Sequence, residues 1–292
     1  VLFCPGNISP ILCFVKKVQW IGTVGPFEPK FISSFRWKQK INLFVQKYLI
    51  VFSSKTSDLV IFESQYTQNL FVKKYGQSKD KTAVLHIGND EYFHPVMSTE
   101  SSIFSNYNQK DFLLTVSHLY PYKNIELLIN SFKQLSLKER GLYLFLAGSI
   151  VDEPYYERLN ELLKKHDISD HVVFLGRLKR SDLRELYSSC KAFIFTSPFE
   201  NFAYTLVEAM SCSAPIIATN TTAMPETCGD AALYFSPDKE EELSSCIDKF
   251  LGDENLRVLY KEKALIRADK FDVYSVVNQK TNKLLEGLVD KL

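Results

Sequence analysis

From Asp111 onward, short runs of β-branched, aromatic and other apolar residues alternate with longer segments whose apolar residues recur at helical spacing. That alternation constrains the fold more than any other feature of the chain. Runs that are apolar at every position suit strands buried on both faces, and such strands pair in parallel only when a helix carries the chain back across the sheet. Phe112–Val116, Leu142–Ala147, Val172–Leu175, Ala192–Thr196, Pro215–Ala218 and Ala232–Phe235 read as strands. Ile125–Leu135, Tyr155–His166, Arg180–Ser188 and Tyr204–Ser211 read as the helices between them. The expectation is an α/β, doubly wound domain whose ligands sit beyond the carboxyl ends of its strands.

Residues 1–98 repeat the pattern in shorter form. Leu2–Cys4, Val18–Ile21, Leu59–Phe62 and Ala83–His86 are strand-like, and helices are expected near Phe35–Phe52 and Gln65–Tyr75. The polar stretch 99–110, part of Met97–Lys110, reads as a linker. Beyond Pro237 the pattern is helical, around Glu240–Leu251, Glu254–Phe271 and Tyr274–Leu288. The division is therefore 1–98 as a partial first Rossmann-like domain, 111–270 as a second, and 271–292 as a helix returning to the first through Tyr274, Val277, Leu284, Leu285 and Leu288. The chain opens at Val1 inside a strand-like run, and four strands make a small nucleotide-fold sheet, so a fragment with an incomplete first domain is expected.

The 292 residues, 46% of them hydrophobic, suffice for two cores. Lys16, Lys17, Lys47, Lys55 and Glu63 interrupt the apolar N-terminal third, which argues against a spanning helix. The six cysteines are scattered without a C-x-x-C pair and read as reduced thiols of a cytoplasmic protein. Residues 1–98 carry 12 Lys and Arg against 6 Asp and Glu, whereas 99–292 carry 23 against 28. A basic first segment suits an anionic partner such as a membrane surface, and equally a solvated lysine face.

The sharpest local signal is Pro198-Phe199-Glu200-Asn201-Phe202-Ala203-Tyr204-Thr205-Leu206-Val207-Glu208. It follows a strand and opens a helix, so Glu200 falls in a loop at a strand's carboxyl end and Glu208 about one turn into the helix. Backbone N–H groups at such a helix start suit a diphosphate. By itself this spacing also fits a surface helix with a capping carboxylate.

With Leu113–Asn124, Phe145–Gly148, Val173–Leu178 and Pro225–Ala232, these residues resemble the family-4 retaining glycosyltransferases in the family's order. The resemblance implies a GT-B fold, with two Rossmann-like domains facing across a cleft, and transfer of a sugar from a nucleoside diphosphate sugar to an acceptor hydroxyl on a glycan, lipid or small molecule. It implies that Lys123 neutralises the leaving diphosphate, Glu200 orients the donor sugar and Glu208 binds ribose. Asn201, Phe202, Ala203, Tyr204 and Thr205 are implied to wrap phosphates and sugar, while Arg177 and Leu178 frame the base. Lys123 can also be read as a solvated lysine and Arg177 as a backbone contributor only.

Two departures stand out. His118 replaces the family's usual Arg at the phosphates, and Ala203 its usual Gly. The family's Gly-rich loop has no counterpart in the chain, so feeble turnover is expected of these 292 residues. No Asp-x-Asp occurs, and no metal and no cofactor are expected, with Lys123, His118 and helix amides supplying the positive field. Cell-envelope glycan biosynthesis is the expected setting, with no nucleic-acid partner. The basic, aromatic stretch Ser34–Lys47 fits a peripheral contact with a membrane or an acidic acceptor, and equally a packed helix with snorkelling lysines. His86, Gly88 and Asp90 are read as structural. A non-catalytic or truncated sugar-nucleotide-binding module and a GT-B-fold epimerase or phosphorylase are the alternative readings.

Overall fold

The computed structural model describes residues 1–89, 91–96, 111–135, 140–274 and 278–289. The linker 99–110, Asp90 and Val277 lie outside the described residues, as do the side chains of Leu285 and Leu288. The chain forms two compact units. One comprises Val1–Gly88, Phe199–Ala203 and Phe271–Leu292, and the other Asn89–Pro198 and Tyr204–Lys270.

In the first unit, strands β1 (Leu2–Cys4), β2 (Lys17–Ile21), β3 (Leu59–Phe62) and β4 (Thr82–Val84) pair in parallel in chain order. Alternation along β3 sends Val60 and Phe62 to one face, where they meet Ile21, Phe27, Ile50 and Phe71. Leu59 and Ile61 go to the other, with Val18 and Leu85. Helices α1 (Pro29–Ser33), α2 (Trp37–Lys55) and α3 (Gln65–Tyr75) connect the strands. Helix α3 begins and ends where its sequence says. The Ser64 hydroxyl accepts from the Thr67 amide, and Gly76 closes the helix at φ 66° with its N–H on the Phe71 carbonyl.

The second unit holds strands β5 (Phe112–Val116), β6 (Tyr143–Ala147), β7 (Val172–Gly176), β8 (Ala192–Phe195), β9 (Ile216–Thr219) and β10 (Ala232–Phe235). All are parallel, in the order β10-β9-β8-β5-β6-β7. The chain first winds outward from β5 to β7, then returns to lay β8 on the other side of β5. The crevice at this reversal is where a doubly wound sheet accepts ligands. Helices α4 (Ile125–Gln134), α5 (Glu153–Lys165), α6 (Arg180–Ser189), α7 (Tyr204–Ser211), α8 (Met224–Cys228), α9 (Glu240–Gly252) and α10 (Glu254–Ala268) cover the sheet. Leu113, Leu144, Leu146, Ile194 and Ile217 meet Leu128, Phe132 and Phe250 in its main core.

Several boundaries depart from the sequence reading. The helix expected over Phe35–Phe52 runs from Trp37 to Lys55, and the short helices α1 and α8, each with proline in its first turn, were not expected. The helix expected to reach Phe271 ends at Ala268 and tightens into a 3-10 turn over Asp269–Phe271. Helix α11 (Asn278–Val289) closes the described chain, and its Leu284 packs against the Val18, Leu59, Ile61 and Leu85 cluster.

Gly148, just beyond β6, sits at φ 141°, and a Cβ there would lie 1.9 Å from the Ser117 carbonyl oxygen just beyond β5. Both obstacles are backbone, so neither yields to a rotamer change. Gly148→Ala is expected to cost at least about 2 kcal/mol of stability. Thermal and urea unfolding measure it, and an unchanged midpoint would contradict the close approach.

Candidate functional site

The site grows out of the pairing of β5 with β8. Thr115 Oγ1 donates to the Ile194 carbonyl at 2.7 Å inside the sheet. Just past the strand ends, Thr196 Oγ1 donates to the Lys123 carbonyl at 2.6 Å. The loop after β5 is thereby tied to the end of β8. Its conformation is fixed further along: Pro121–Lys123 form a 3-10 turn, Asn124 adopts φ 57°, and the Asn124 amide donates to the Pro237 carbonyl at 2.7 Å before α4 begins. Lys123 Nζ lies 4.9 Å from the centre of the Tyr122 ring, which itself stacks on Tyr120. Lys123 is thus a positioned cation at the reversal point. His118, in the same loop, is exposed. Its neighbour Ser117 carries a buried hydroxyl with no hydrogen-bond partner among the described residues.

Two further loops approach the same strand ends. The Gly148 amide donates to the Gly176 carbonyl at 2.8 Å, joining the turn after β6 to the turn that carries Arg177 and Leu178. Arg177 is exposed and Leu178 half-buried. After β8, the carbonyls of Ser197 and Pro198 each accept a threonine hydroxyl at 2.9 Å, from Thr219 and Thr221.

Glu208 lies in the second turn of α7, half-buried, with its Oε2 accepting from the Tyr187 hydroxyl at 3.1 Å. Tyr187 is fully buried, and desolvation together with the Glu208 charge pushes its phenol well above the usual range. It is therefore a lasting donor that fixes one Glu208 oxygen. Tyr204 and Thr205 are half-buried at the start of α7.

Phe199–Ala203 belong to the first unit, and a buried polar network seats them there. Asn201 is the centre. Its amide donates to Glu63 Oε2 at 2.8 Å, while its Oδ1 accepts from Ser64 Oγ at 3.3 Å and from Thr67 Oγ1. Glu63 Oε1 accepts from Trp20 Nε1 at 2.8 Å. Both partners of Glu63 are donors, so the position calls for a group that accepts on two oxygens. Burial pushes the Glu63 carboxyl above the usual carboxylate range, against the opposing pull of those two donors. Gly22 makes the room, since a Cβ there would stand 2.5 Å from Glu63 Oε1. Phe202 packs against His86 and Phe271. The side chains of Asn201, Phe202 and Ala203 are thus turned into the interior, whereas those of Phe199 and Glu200 are half-buried.

Sequence reasoning singled out neither Glu63 nor Tyr187. A glutamate directly after an apolar strand, in Leu59–Phe62 followed by Glu63, was the available signal. Among the described residues no group of three or more His, Cys, Asp or Glu is arranged to hold a metal ion.

The model for glycosyl transferases group 1 matches residues 97–267. The serotype-specific mannosyltransferase WbdA of Escherichia coli is 32% identical over 162 residues, which cover 55% of this chain and 20% of that protein. The O-antigen chain mannosyltransferase B of Escherichia coli is 24% identical over 234 residues, or 79% of this chain and 61% of that protein. The chain thus spans about a fifth of one relative and three fifths of the other. Among solved structures, Anabaena HepE in complex with UDP and glucose superposes with a TM-score of 0.78 at 21% identity, covering 93% of this chain and 72% of that one. This likeness shows the fold, an α/β GT-B type built from Rossmann-like domains.

Glu63→Gln would set an amide donor against either Trp20 Nε1 or the Asn201 amide. The expected loss is about 1–3 kcal/mol of unfolding free energy, the cost of a buried donor left unmatched. Urea titration reads it, and wild-type stability in the variant would mean that the network does not form.

Proposed function

The chain belongs to the glycosyl transferases group 1 family, and on that premise we propose that it binds a nucleoside diphosphate sugar and transfers the sugar to an acceptor hydroxyl with retention at the anomeric carbon. The observation that supports the reading is the reversal of the second unit's sheet between β5 and β8, where the Lys123 loop is tied to the end of β8 and the helix that follows β8 carries Glu208, bonded to Tyr187. Support also comes from relatives described as mannosyltransferases and from a structural neighbour solved with UDP and glucose.

In this reading Glu208 accepts hydrogen bonds from ribose hydroxyls, with Tyr187 holding its second oxygen. The bond between the anomeric carbon and the diphosphate breaks with its electron pair leaving on phosphate oxygen, the acceptor hydroxyl oxygen bonds to that carbon on the same face, and its proton passes to the departing phosphate oxygen. Lys123 and amides of the Asn201–Tyr204 stretch stabilise that charge, as fixed dipoles do best when they need no reorganisation. Ser117 Oγ, buried and without a hydrogen-bond partner among the described residues, and His118 are further donors for the phosphates. Glu200 orients the sugar, and Arg177 with Leu178 frames the base. The positive field is supplied by side chains and amides, so no metal is required. The acceptor is an envelope glycan or its lipid-borne precursor, handled by a protein peripheral to the inner face of a membrane. This part rests on the O-antigen description of one relative and on the basic first segment.

Glu208→Ala is expected to weaken nucleoside diphosphate binding about tenfold or more, the usual cost of a hydrogen bond to a charged group. Glu200→Ala should spare binding and lower release of nucleoside diphosphate by at least about a hundredfold, because orientation matters only on the way to transfer. Calorimetry and a coupled release assay separate the two, and equal loss of binding in both variants overturns the division of roles. Removing divalent cations with a chelator should leave nucleotide affinity unchanged, and a fall in affinity would refute metal independence.

A further inference from the structure

Among the described residues Glu63 is the only buried acidic side chain, and it stands at the junction where β3 ends and α3 begins. A carboxylate in such a place adds little net stability, because the cost of taking it out of water offsets most of what its partners return. What it supplies is direction. Its two oxygens only accept, so each one fixes a donor: Trp20 Nε1 on Oε1 and the Asn201 amide on Oε2, both at 2.8 Å.

The two ends of the Asn201 side chain are unlike, and the carboxylate settles which of them faces it. The other end, Oδ1, falls on the hydroxyls of Ser64 and Thr67. Those hydroxyls belong to the start of α3, where Ser64 caps the helix by accepting from the Thr67 amide. Residue 201 is therefore gripped from three sides by a single strand-to-helix junction. Its neighbours are held as well. The Phe199 ring meets Phe31 edge-on with centroids 6.2 Å apart, and Phe202 lies against His86 and Phe271 at 5.9 and 5.6 Å. Glu200 thus stands between two residues whose side chains are anchored within the same unit, which fixes its backbone and the direction of its Cβ before any ligand arrives.

We propose that Glu63 is a positioning residue for sugar transfer: through the Asn201 amide it sets the backbone that carries Glu200, and with it the placement of the donor sugar. The proposal rests on the role given to Glu200 above and deepens it.

The contact between Glu63 and Asn201 joins an acceptor to a donor, and it can be reversed without leaving a group unmatched. In Glu63→Gln an amide faces the Asn201 amide, donor against donor. In Asn201→Asp a second carboxylate faces Glu63. Combined, the two substitutions exchange the roles. The amide at position 63 donates to the carboxylate at 201 while its oxygen still accepts from Trp20, and the second carboxylate oxygen at 201 still accepts from Ser64 and Thr67.

The experiment follows release of nucleoside diphosphate from UDP-glucose and from GDP-mannose by the 292-residue chain, with water in the acceptor's place, and titrates UDP and GDP by calorimetry on the same samples. Each single substitution is expected to lower kcat by about tenfold or more and to change KM and nucleotide affinity by less than about twofold, because a misplaced orienting group is felt only on the way to transfer. The combined variant should recover to within about threefold of the unsubstituted chain, a coupling that two independent losses cannot produce. Ile50→Val, in the core of the same unit, should lower the unfolding midpoint and leave kcat unchanged, which separates positioning from stability. Amide hydrogen exchange across 199–203 needs no turnover: it should quicken about tenfold in each single variant and return in the combined one. An unchanged kcat in both single variants overturns the proposal, as does a combined variant no better than the worse single one. Nucleotide affinity that falls as far as kcat overturns it too, since Glu63 would then act on binding, and so does exchange indifferent to all three variants. Release by the unsubstituted chain that ignores these substitutions removes this role and leaves transfer standing. No release from either donor, with the expected exchange pattern, removes the transfer reading and leaves Glu63 as the group that sets the 199–203 backbone.

Discussion

Everything proposed for the second unit depends on one pairing, that of β5 with β8. Because the chain completes β6 and β7 on one side of β5 and then crosses to lay β8 on the other, the loops leaving β5 and β8 diverge and open a crevice between them. Parallel ladders alone would leave those loops loose. Two threonine hydroxyls join them: Thr115 to the Ile194 carbonyl within the sheet and Thr196 to the Lys123 carbonyl beyond it. The backbone of Lys123 is therefore fixed by hydrogen bonding to the end of β8. Close approach matters equally, for Gly148 lets the turn after β6 touch Ser117, so three strand ends present their loops to one place.

The first unit solves a different problem, which is how to bury polar groups. Its network of Trp20, Glu63, Asn201, Ser64 and Thr67 is complete at every atom named, with donors meeting acceptors across more than a hundred residues of sequence. Such a network specifies geometry, because a shift of the Phe199–Ala203 stretch breaks several bonds at once. Glu200 sits inside that stretch, and its backbone inherits the rigidity of its buried neighbours.

Local signals in the sequence were sufficient where a cap or a fully apolar run marks both ends of an element. Gln65–Tyr75 lies between the Ser64 cap and Gly76, and Leu59–Phe62, Ala232–Phe235 and Tyr204–Ser211 coincide with their expected bounds. Boundaries slipped where the chain tightens into a 3-10 turn, as after Ala268, since the periodicity of the side chains does not announce the change of hydrogen-bond pattern. The site was legible in part. Lys123, Glu200 and Glu208 stand in motifs, but their supports do not: Glu63 meets Asn201 only because two distant segments share one unit, and Tyr187 reaches Glu208 only across the packing of α6 on α7. No spacing rule encodes such pairs.

Helix α2 shows why periodicity needs a second criterion. An apolar stripe at helical spacing identifies the helix, yet it leaves open which way the stripe faces. Direction is decided by what the other side can satisfy. Ser53, Ser54 and Gln19 find partners inside, so turning them inward forfeits little, and the apolar face is released for the exterior. Had those hydroxyls lacked partners, the stripe would have been needed in the core and the helix would have rotated. Satisfied polar groups at the buried side are therefore what makes an exposed aromatic stripe compatible with a folded domain.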